Sequence, residues 1–216
     1  MLTSRRRALA ASVALAFELS QAAHAAGPGG PRGPGGAAPV AALSPGEASF
    51  LAFTREEEKL ARDLYLMFDE TWSAPPFASI ASSEQRHMDA ALRLLVKYDL
   101  PDPAAGNPIG EFENPLLQAI HDSLAARGST GLVPALLVGG YVEELDLRDL
   151  ASAAADTTRA DLDRVYEALA CGSRNHLRAF AGSYFAAAGQ PYTAQLLPQE
   201  DVDRILRQPW ERCGNT

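Results

Sequence analysis

The chain has 216 residues, of which 47% are hydrophobic and 21% are charged, and this size and composition suit a single domain with a substantial buried core. Its formal net charge of −8, with basic residues scattered among acids, argues against a nucleic-acid-binding protein. The sequence has no Ser-His-Asp order, glycine-rich phosphate loop or dinucleotide fingerprint, so it offers no support for those hydrolase and nucleotide-binding classes.

Residues 1–26 have the composition of an export signal. Arginines at Arg5–Arg7 precede an apolar run from Ala8 to Leu19, and Ala23-His24-Ala25 supplies a small-residue cleavage site. The arginines resemble a twin-arginine signal, with ordinary unfolded secretion as the alternative. Because the apolar run is too short to span a bilayer, we predict a periplasmic or secreted protein without stable membrane insertion after cleavage.

Residues 27–45 are rich in glycine and proline and predict a flexible linker. The folded domain is predicted over residues 46–208, followed by a tail at 209–216. Apolar periodicity and proline or glycine stop signals predict six helices, with Ser44 and Thr157 as N-caps of the first and fifth. In chain order the helices run from Pro45 to Trp72, from Ala78 to the Leu100-Pro101 boundary, from Pro115 to Arg127, from Leu132 to Ala155, from Ala160 to Ala188 and from Gln199 to Leu206.

Four of these helices are long. A segment rich in proline, glycine and asparagine, from Asp102 to Asn114, forms one longer crossover after the second of them. No alternating strand pattern competes with the helical one. The predicted fold is therefore all-α: a ferritin-like four-helix bundle with one longer crossover, an extra short helix and a C-terminal short helix.

Glu84 and His87 lie three residues apart in the second helix, so their side chains share one face. Ile80, Met88 and Leu95 lie within roughly 40° of Glu84, which places the pair in an apolar stripe. A buried carboxylate needs a positive partner, and a metal ion is one such partner. The spacing therefore predicts that this helix supplies two metal ligands.

The first helix places a glutamate on its apolar face as well. Glu57 shares that face with several phenylalanines and leucines, while Glu56 and Glu58 lean to its flanks. We therefore predict Glu57 as a ligand. The plain alternative is that the run Arg55–Lys59 is a solvated face.

The fourth and fifth helices complete the predicted site. Glu143 lies on an apolar stripe three residues before Asp146, and His176 lies among leucines, with Ser173 where a second Glu-x-x-His motif would carry glutamate. A hydrogen-bonded core residue is the alternative for His176. Since bundle di-metal sites draw ligands from four helices, the predicted metal ligands are Glu57, Glu84, His87, Glu143, Asp146 and His176, with Glu144 as a substitute.

Other polar residues have weaker patterns. The predicted outer residues that hold the ligands in place are Arg86, Arg174 and Asn175, with surface ion pairs as their alternative role. His121 has no partner at ligand spacing and is predicted to be exposed. Cys171 and Cys213 allow either a disulfide or two free thiols.

Four sequence blocks carry a family resemblance, and they are Arg55–Asp63, Ser83–Met88, Glu143–Asp146 and Gly172–Arg178. In this order they resemble a prokaryotic ferritin-like family known as domain of unknown function 2202. The similarity extends from about Phe50 to Leu206. It implies a ferritin-like fold and a carboxylate-bridged iron site, and it implies no particular activity.

Together these features predict an exported protein that binds two iron or manganese ions, or a single ion, through carboxylates and imidazoles. Metal oxidation linked to O₂ or peroxide is the leading expected chemistry. A non-catalytic metal-binding or scavenging protein is one alternative, and a structural helical bundle with buried ion pairs is the other. The oligomeric state is left open, a dimer included.

Overall fold

The computed structural model describes residues 40–214. The signal segment at 1–26 and most of the linker lie outside these residues, so both assignments stay predictions. Within the described range the chain is all-helical and contains no strand. The helices are α1 (Pro45–Trp72), α2 (Phe77–Lys97), α3 (Pro115–Gly128), α4 (Leu132–Asp156), α5 (Ala160–Ala188) and α6 (Gln199–Arg207). The all-α prediction is confirmed, with helix ends shifted by a few residues at most.

None of the helices in residues 40–214 is both long and apolar enough to cross a bilayer.

Local capping explains where α1 begins. The Ser44 side chain accepts a hydrogen bond from the Glu47 backbone N–H, and the Glu47 carboxylate accepts one from the Ser44 N–H, which completes the predicted capping box. The predicted Thr157 cap of α5 is wrong, because Arg159 occupies the N-cap position. Thr157 instead ends α4 and donates to Glu47 at 2.8 Å. This hydrogen bond joins the start of α1 to the turn between α4 and α5.

The four long helices pack as two antiparallel pairs. Short connections make α1 and α2 one pair and α4 and α5 the other, and the pairs meet where α1 lies against α4 and α2 against α5. The start of α1 contacts the residue that ends α4 through Glu47 and Thr157, and the end of α2 contacts the start of α5 through Lys97 and Asp161. Each long helix therefore has two antiparallel neighbours. α3 lies against α1 and α4, and α6 lies against α5.

Two apolar clusters divide the interior, and a polar layer lies between them. The first cluster is built around Tyr65, Phe68, Phe77, Val138 and Phe180. The second is built around Leu51, Leu95, Leu150, Leu162 and Leu169. Every long helix contributes to both clusters, and the buried polar positions between them are 57 and 58 on α1, 84 and 87 on α2, 143 and 146 on α4, and 173 and 176 on α5. The four helices thus bring these polar groups to one depth.

The charged run Arg55–Lys59 is buried, which corrects the solvated-face alternative. The crossover between α2 and α3 covers it and pairs with its polar groups. Glu56 accepts hydrogen bonds from two backbone N–H groups of the crossover, at 2.6 and 3.0 Å. Lys59 donates to Asp63 at 2.5 Å and to two crossover carbonyls, at 2.7 and 3.1 Å. Because the crossover shields this side of α1, several acidic side chains of the helix are buried at once.

Candidate metal centre

Glu84 of α2 lies between two histidines. Its Oε2 is 2.7 Å from Nδ1 of His87 on the same helix, and its Oε1 is 2.7 Å from Nδ1 of His176 on α5. The two imidazole rings are stacked, with centroids 5.4 Å apart and planes inclined by 29°. Each of the three residues offers one potential ligand atom, and these three atoms all lie within 4.8 Å of one another. The structure thus brings three of the predicted ligands together.

Two further carboxylates lie near the histidines, one on each of the two remaining long helices. Oε2 of Glu58 on α1 lies 3.2 Å from Nδ1 of His87, and Oε2 of Glu143 on α4 lies 3.4 Å from Nδ1 of His176. The Nδ1 atom of each histidine therefore lies near one oxygen of Glu84 and one oxygen of an outer carboxylate. The arrangement is nearly symmetric about Glu84.

Tyr65 fixes the position of Glu143. Its hydroxyl donates to Glu143 Oε1 at 2.6 Å and also lies 3.3 Å from the Gly139 carbonyl. Gly139 has to lack a side chain, because a Cβ there would lie 2.3 Å from the ring of Phe180. The close approach of α5 to α4 at this glycine brings the aromatic cluster directly beneath the polar layer.

Asp146 of α4 meets Ser173 of α5. The Ser173 hydroxyl donates to Oδ2 of Asp146, while Oδ1 of Asp146 has no hydrogen-bond partner among the described residues. Ser173 stands three residues before His176, where a Glu-x-x-His motif carries its glutamate. A carboxylate from the neighbouring helix is therefore found beside the position where α5 lacks one.

The angular positions of the apolar residues on α1 did not identify Glu58 as a candidate ligand. The structure places Glu58, and not the predicted Glu57, beside His87, whereas Oε1 of Glu57 is buried without a hydrogen-bond partner among the described residues. Glu58 shares its face with Leu51 and Tyr65, each seven residues away and fully buried. That spacing is present in the sequence and could have identified Glu58.

The buried carboxylates and imidazoles of the centre shift one another's pKa values. Burial raises the pKa of Glu58 to about 7, although the neighbouring His87 opposes the rise. Burial also disfavours ionisation of Glu84, but the positive imidazoles of His176 and His87 outweigh it and hold the pKa of Glu84 well below its usual range. Burial lowers the pKa of His176, but the carboxylates of Glu84 and Glu143 outweigh this effect and raise it to about 10. The metal-free centre therefore holds protons that a cation would displace.

The donor set contains more carboxylates than positive groups. The buried acids of the polar layer are Glu57, Glu58, Glu84, Glu143 and Asp146, and the layer contains only two imidazoles. In the described part of the chain, one oxygen each of Glu57, Glu58 and Asp146 is buried without a hydrogen-bond partner. Because burial of an unpartnered carboxylate costs several kcal/mol, roughly, these atoms fit a site that a cation completes. Mixed carboxylate and imidazole ligands suit iron or manganese.

The predicted outer residues form their hydrogen bonds with groups outside the centre. Arg86 is exposed and donates to a carbonyl of its own helix. Arg174 pairs with the Glu211 carboxylate, and Asn175 exchanges hydrogen bonds with the Glu211 backbone. Among the described hydrogen bonds and ion pairs, none of the three joins a carboxylate or imidazole of the centre, so none of them holds a predicted ligand through such a bond. Arg174 and Asn175 hold the C-terminal segment instead.

Two other expectations are corrected. His121 is buried rather than exposed, because its ring packs against Phe112 of the crossover, with ring centroids 5.2 Å apart. Glu144 is buried away from the histidines, where its carboxylate accepts hydrogen bonds from the Tyr192 hydroxyl at 2.6 Å and from the backbone N–H groups of residues 195–197. Glu144 therefore anchors the chain after α5 and is not placed as a substitute ligand.

The chain after α6 lies against α5 on the outer side of the histidines. Cys171 and Cys213 form a disulfide, which decides between the two alternatives left by the sequence. On the same helix as Cys171, Arg174 and Arg178 bind the Glu211 carboxylate at 2.7 and 2.8 Å. A covalent bond and two ion pairs thus fix this segment.

A cavity of about 440 Å³ lies beneath the segment, and its walls include His87, His176, Arg86 and Trp210. Gly172 also lines it and has to remain a glycine, because a Cβ there would lie 2.5 Å from Cε1 and Nε2 of His87. The outer edges of both imidazoles therefore face this cavity, while their Nδ1 atoms face Glu84.

The fold and the centre define an all-helical protein with a group of buried carboxylates and histidines at its middle. The chain belongs to the family of the uncharacterized protein domain DUF2202, whose sequence model matches residues 47–209. It is 41% identical over 177 residues to uncharacterized protein MJ0754 of Methanocaldococcus jannaschii, covering 82% of this chain and 95% of that protein. The crystal structure of hypothetical protein MJ0754 from Methanococcus jannaschii is similar, with a TM-score of 0.77 and 40% identity over 82% of this chain and 100% of that one. The family inferred from the four sequence blocks is confirmed.

Proposed function

We propose that this protein is a ferritin-like metalloprotein whose centre binds two iron or manganese ions. The proposal rests on the position of Glu84, because each of its two oxygens lies 2.7 Å from the Nδ1 atom of a different histidine. A carboxylate that bridges two ions presents one oxygen to each, with further ligands from the surrounding helices. The antiparallel arrangement of four long helices, with one longer crossover, supports the ferritin-like assignment.

Each ion would have its own ligands beside the shared Glu84. His87 and Glu58 would bind one ion, because both Glu84 and Glu58 face the same imidazole nitrogen. His176 and Glu143 would bind the other for the same reason. Asp146 supplies a further carboxylate from α4.

Bound iron would supply one-electron redox chemistry with O₂ or peroxide. The protein's own side chains prepare the site for it. Tyr65 holds Glu143 through a 2.6 Å hydrogen bond, and the carboxylates of Glu58 and Glu84 orient His87 with Nδ1 inward. The apolar clusters on both sides limit access of water along the helix axes. The disulfide supports a protein that works in an oxidising compartment outside the cytoplasm.

Anaerobic loading with Fe(II), followed by exposure to O₂, tests the proposal. We expect about two ions per chain, as in other bundle di-metal sites, then O₂ uptake and a ferric absorption band. Tight binding without O₂ uptake would favour a scavenging protein with the same ligands. Absence of tight Fe(II) binding would contradict both and favour buried ion pairs alone.

A matched pair of histidine variants controls this experiment. His176→Asn removes a nitrogen ligand from the centre and should abolish or weaken binding of one ion. His121→Asn changes a histidine that is equally buried but lies under the crossover, so its iron binding should equal that of the wild type.

A further inference from the structure

The two histidines each have one ring nitrogen that the centre does not use. Every hydrogen bond and ion pair that His87 and His176 form with residues 40–214 involves Nδ1, which faces the carboxylates of the centre. The opposite edges of both rings face the cavity of about 440 Å³. Only 7% and 8% of the two side chains are exposed. Each Nε2 is therefore an unpartnered atom of a buried side chain that faces the cavity.

Metal binding through Nδ1 makes each Nε2 a hydrogen-bond donor. An imidazole that gives Nδ1 to an ion carries its proton on Nε2. In metal sites this second N–H usually donates to a carboxylate, a backbone carbonyl or water, which fixes the orientation of the ring. Among residues 40–214 no carboxylate or carbonyl accepts from either Nε2, so the acceptor has to come from the cavity.

The α2 side of the cavity adds further donors. Arg86 and Ser83 line it. The Arg86 guanidinium donates through Nη1 to the carbonyl of Ser82, at 3.0 Å, and forms no ion pair with residues 40–214. Its other nitrogens and the Ser83 hydroxyl can therefore donate to a ligand. Water alone would satisfy the imidazoles, but it would leave this guanidinium without a counter-ion.

One carboxylate, that of Glu211, lines the cavity as well, and its charge is already offset. Its Oε2 accepts from Arg174 at 2.7 Å, and its Oε1 accepts from Arg178 at 2.8 Å. Arg174 also pairs with Glu167 at 3.0 Å. These two arginines and two glutamates balance, so Arg86 is the charge at the cavity that has no ion-pair partner within the described chain. The cavity thus suits an anion with several acceptor oxygens.

We propose that this cavity is a binding site for a small oxyanion, which accepts hydrogen bonds from Nε2 of His87 and His176 and pairs with Arg86. The inference rests on the proposed function, because it requires that Nδ1 of both histidines binds metal. The oxyanion holds the two imidazole rings in place, the role that a protein carboxylate has in other metal sites. Phosphate and carboxylates share the required chemistry, since both present negatively charged acceptor oxygens.

Calorimetric titration of the Co²⁺-loaded protein with phosphate, and separately with acetate, tests the site and distinguishes a tetrahedral from a planar oxyanion. Arg86→Gln should weaken binding of the preferred anion by about fivefold, the scale of an exposed charge pair. Arg93→Gln is the matched control. It removes the same charge from an exposed position of α2 that does not line the cavity, and it should bind the anion like the wild type.

Proton NMR of the Co²⁺-loaded protein reports on the imidazoles directly. The ring N–H signals of His87 and His176 should shift when the anion saturates the site. They should also exchange more slowly with water, because an N–H that donates to a bound anion is protected from solvent. Loss of Arg86 through an indirect structural effect would not produce this signature in the wild type.

The outcomes separate the oxyanion site from the metal centre. A Co²⁺-loaded wild type that binds neither anion would overturn the oxyanion site and leave the centre intact. Equal affinity of Arg86→Gln and the wild type, or ring N–H signals that saturation does not change, would place the anion elsewhere and likewise overturn it. A wild type that binds no Co²⁺ would contradict the proposed function and the oxyanion site together.

Discussion

Replacing Gly172 by alanine should disturb the centre although none of the proposed metal ligands is itself replaced. A Cβ at this position lies 2.5 Å from Cε1 and Nε2 of His87, whereas ordinary contacts begin near 3.4 Å. The ring must therefore retreat by about 1 Å, and it is held between Glu58 at 3.2 Å and Glu84 at 2.7 Å. The substitution forces His87 away from the geometry that the proposed metal ligands require.

The change in unfolding free energy follows from two opposing contributions. Alanine in place of glycine within a helix stabilises the folded state by about 1 kcal/mol. Overpacking against a buried ring costs about 1 to 3 kcal/mol. Mutations of the groups that orient a metal-binding side chain lower metal affinity by about 10-fold to 100-fold. Gly172→Ala should therefore lose metal affinity even where its stability changes little.

Gly182→Ala on the same helix is the matched control, because a Cβ there meets no heavy atom of the described chain within 4 Å. Both variants gain the same helix propensity, so the difference between them isolates the clash. Urea unfolding of the metal-free proteins should place Gly172→Ala about 1 to 3 kcal/mol below Gly182→Ala, and Co²⁺ titration should show the affinity loss in Gly172→Ala alone. Equal stability and equal affinity of the two variants would refute the reasoning.

Three further outcomes are expected. Glu144→Ala leaves the Tyr192 hydroxyl and three backbone N–H groups without their acceptor, so the unfolding free energy in urea should fall by at least about 2 kcal/mol; an unchanged value would contradict the anchoring role. Cys213→Ser opens the bond to Cys171 across a separation of 42 residues and should cost about 4 kcal/mol, with the wild type falling to the same thermal midpoint on reduction and the variant showing no response to reductant. The raised pKa of His176, about 10 in the metal-free folded protein, stabilises the fold fully below the unfolded value of about 6.5, and this contribution is lost as the pH rises toward 10. The thermal midpoint of the metal-free protein should therefore fall across that window while Co²⁺ affinity rises, and a midpoint that rises instead would contradict the sign.

The helices were predictable because their signals are local. Ser44 with Glu47, the Pro75-Pro76 pair and Gly189 each act within one turn of the helix ends they define. The one wrong N-cap prediction was Thr157. Threonine is a common N-cap residue, but the hydroxyl of Thr157 instead donates to Glu47, which is 110 residues away in the chain. Nothing local to α5 could reveal that contact.

The residues of the candidate site were predictable on helices that have one buried face and one solvent-exposed face. On α2 the apolar stripe singles out Glu84 and His87, and the structure places both beside His176. On α1 the same method chose Glu57 over Glu58, because it assumes one face in solvent. The crossover buries the side of α1 that would otherwise be exposed, so helical angle alone cannot rank these two glutamates.

The contacts of the C-terminal segment lay beyond sequence reasoning. Glu144 is held by groups 48 to 53 residues further along the chain, and Arg174 is held by Glu211 at a distance of 37 residues. Both residues look like candidates for the metal centre when only their own helix is considered. Their actual partners depend on the path of the chain after α5.

Metal content per chain tests the central claim most directly. Elemental analysis of the purified wild type should find about two iron or manganese ions per chain, and Glu84→Ala should lose them. Glu70→Ala, which removes an exposed carboxylate from α1, should keep the wild-type content. Less than about one ion per chain in the wild type, or the same content in Glu84→Ala as in the wild type, would contradict the account.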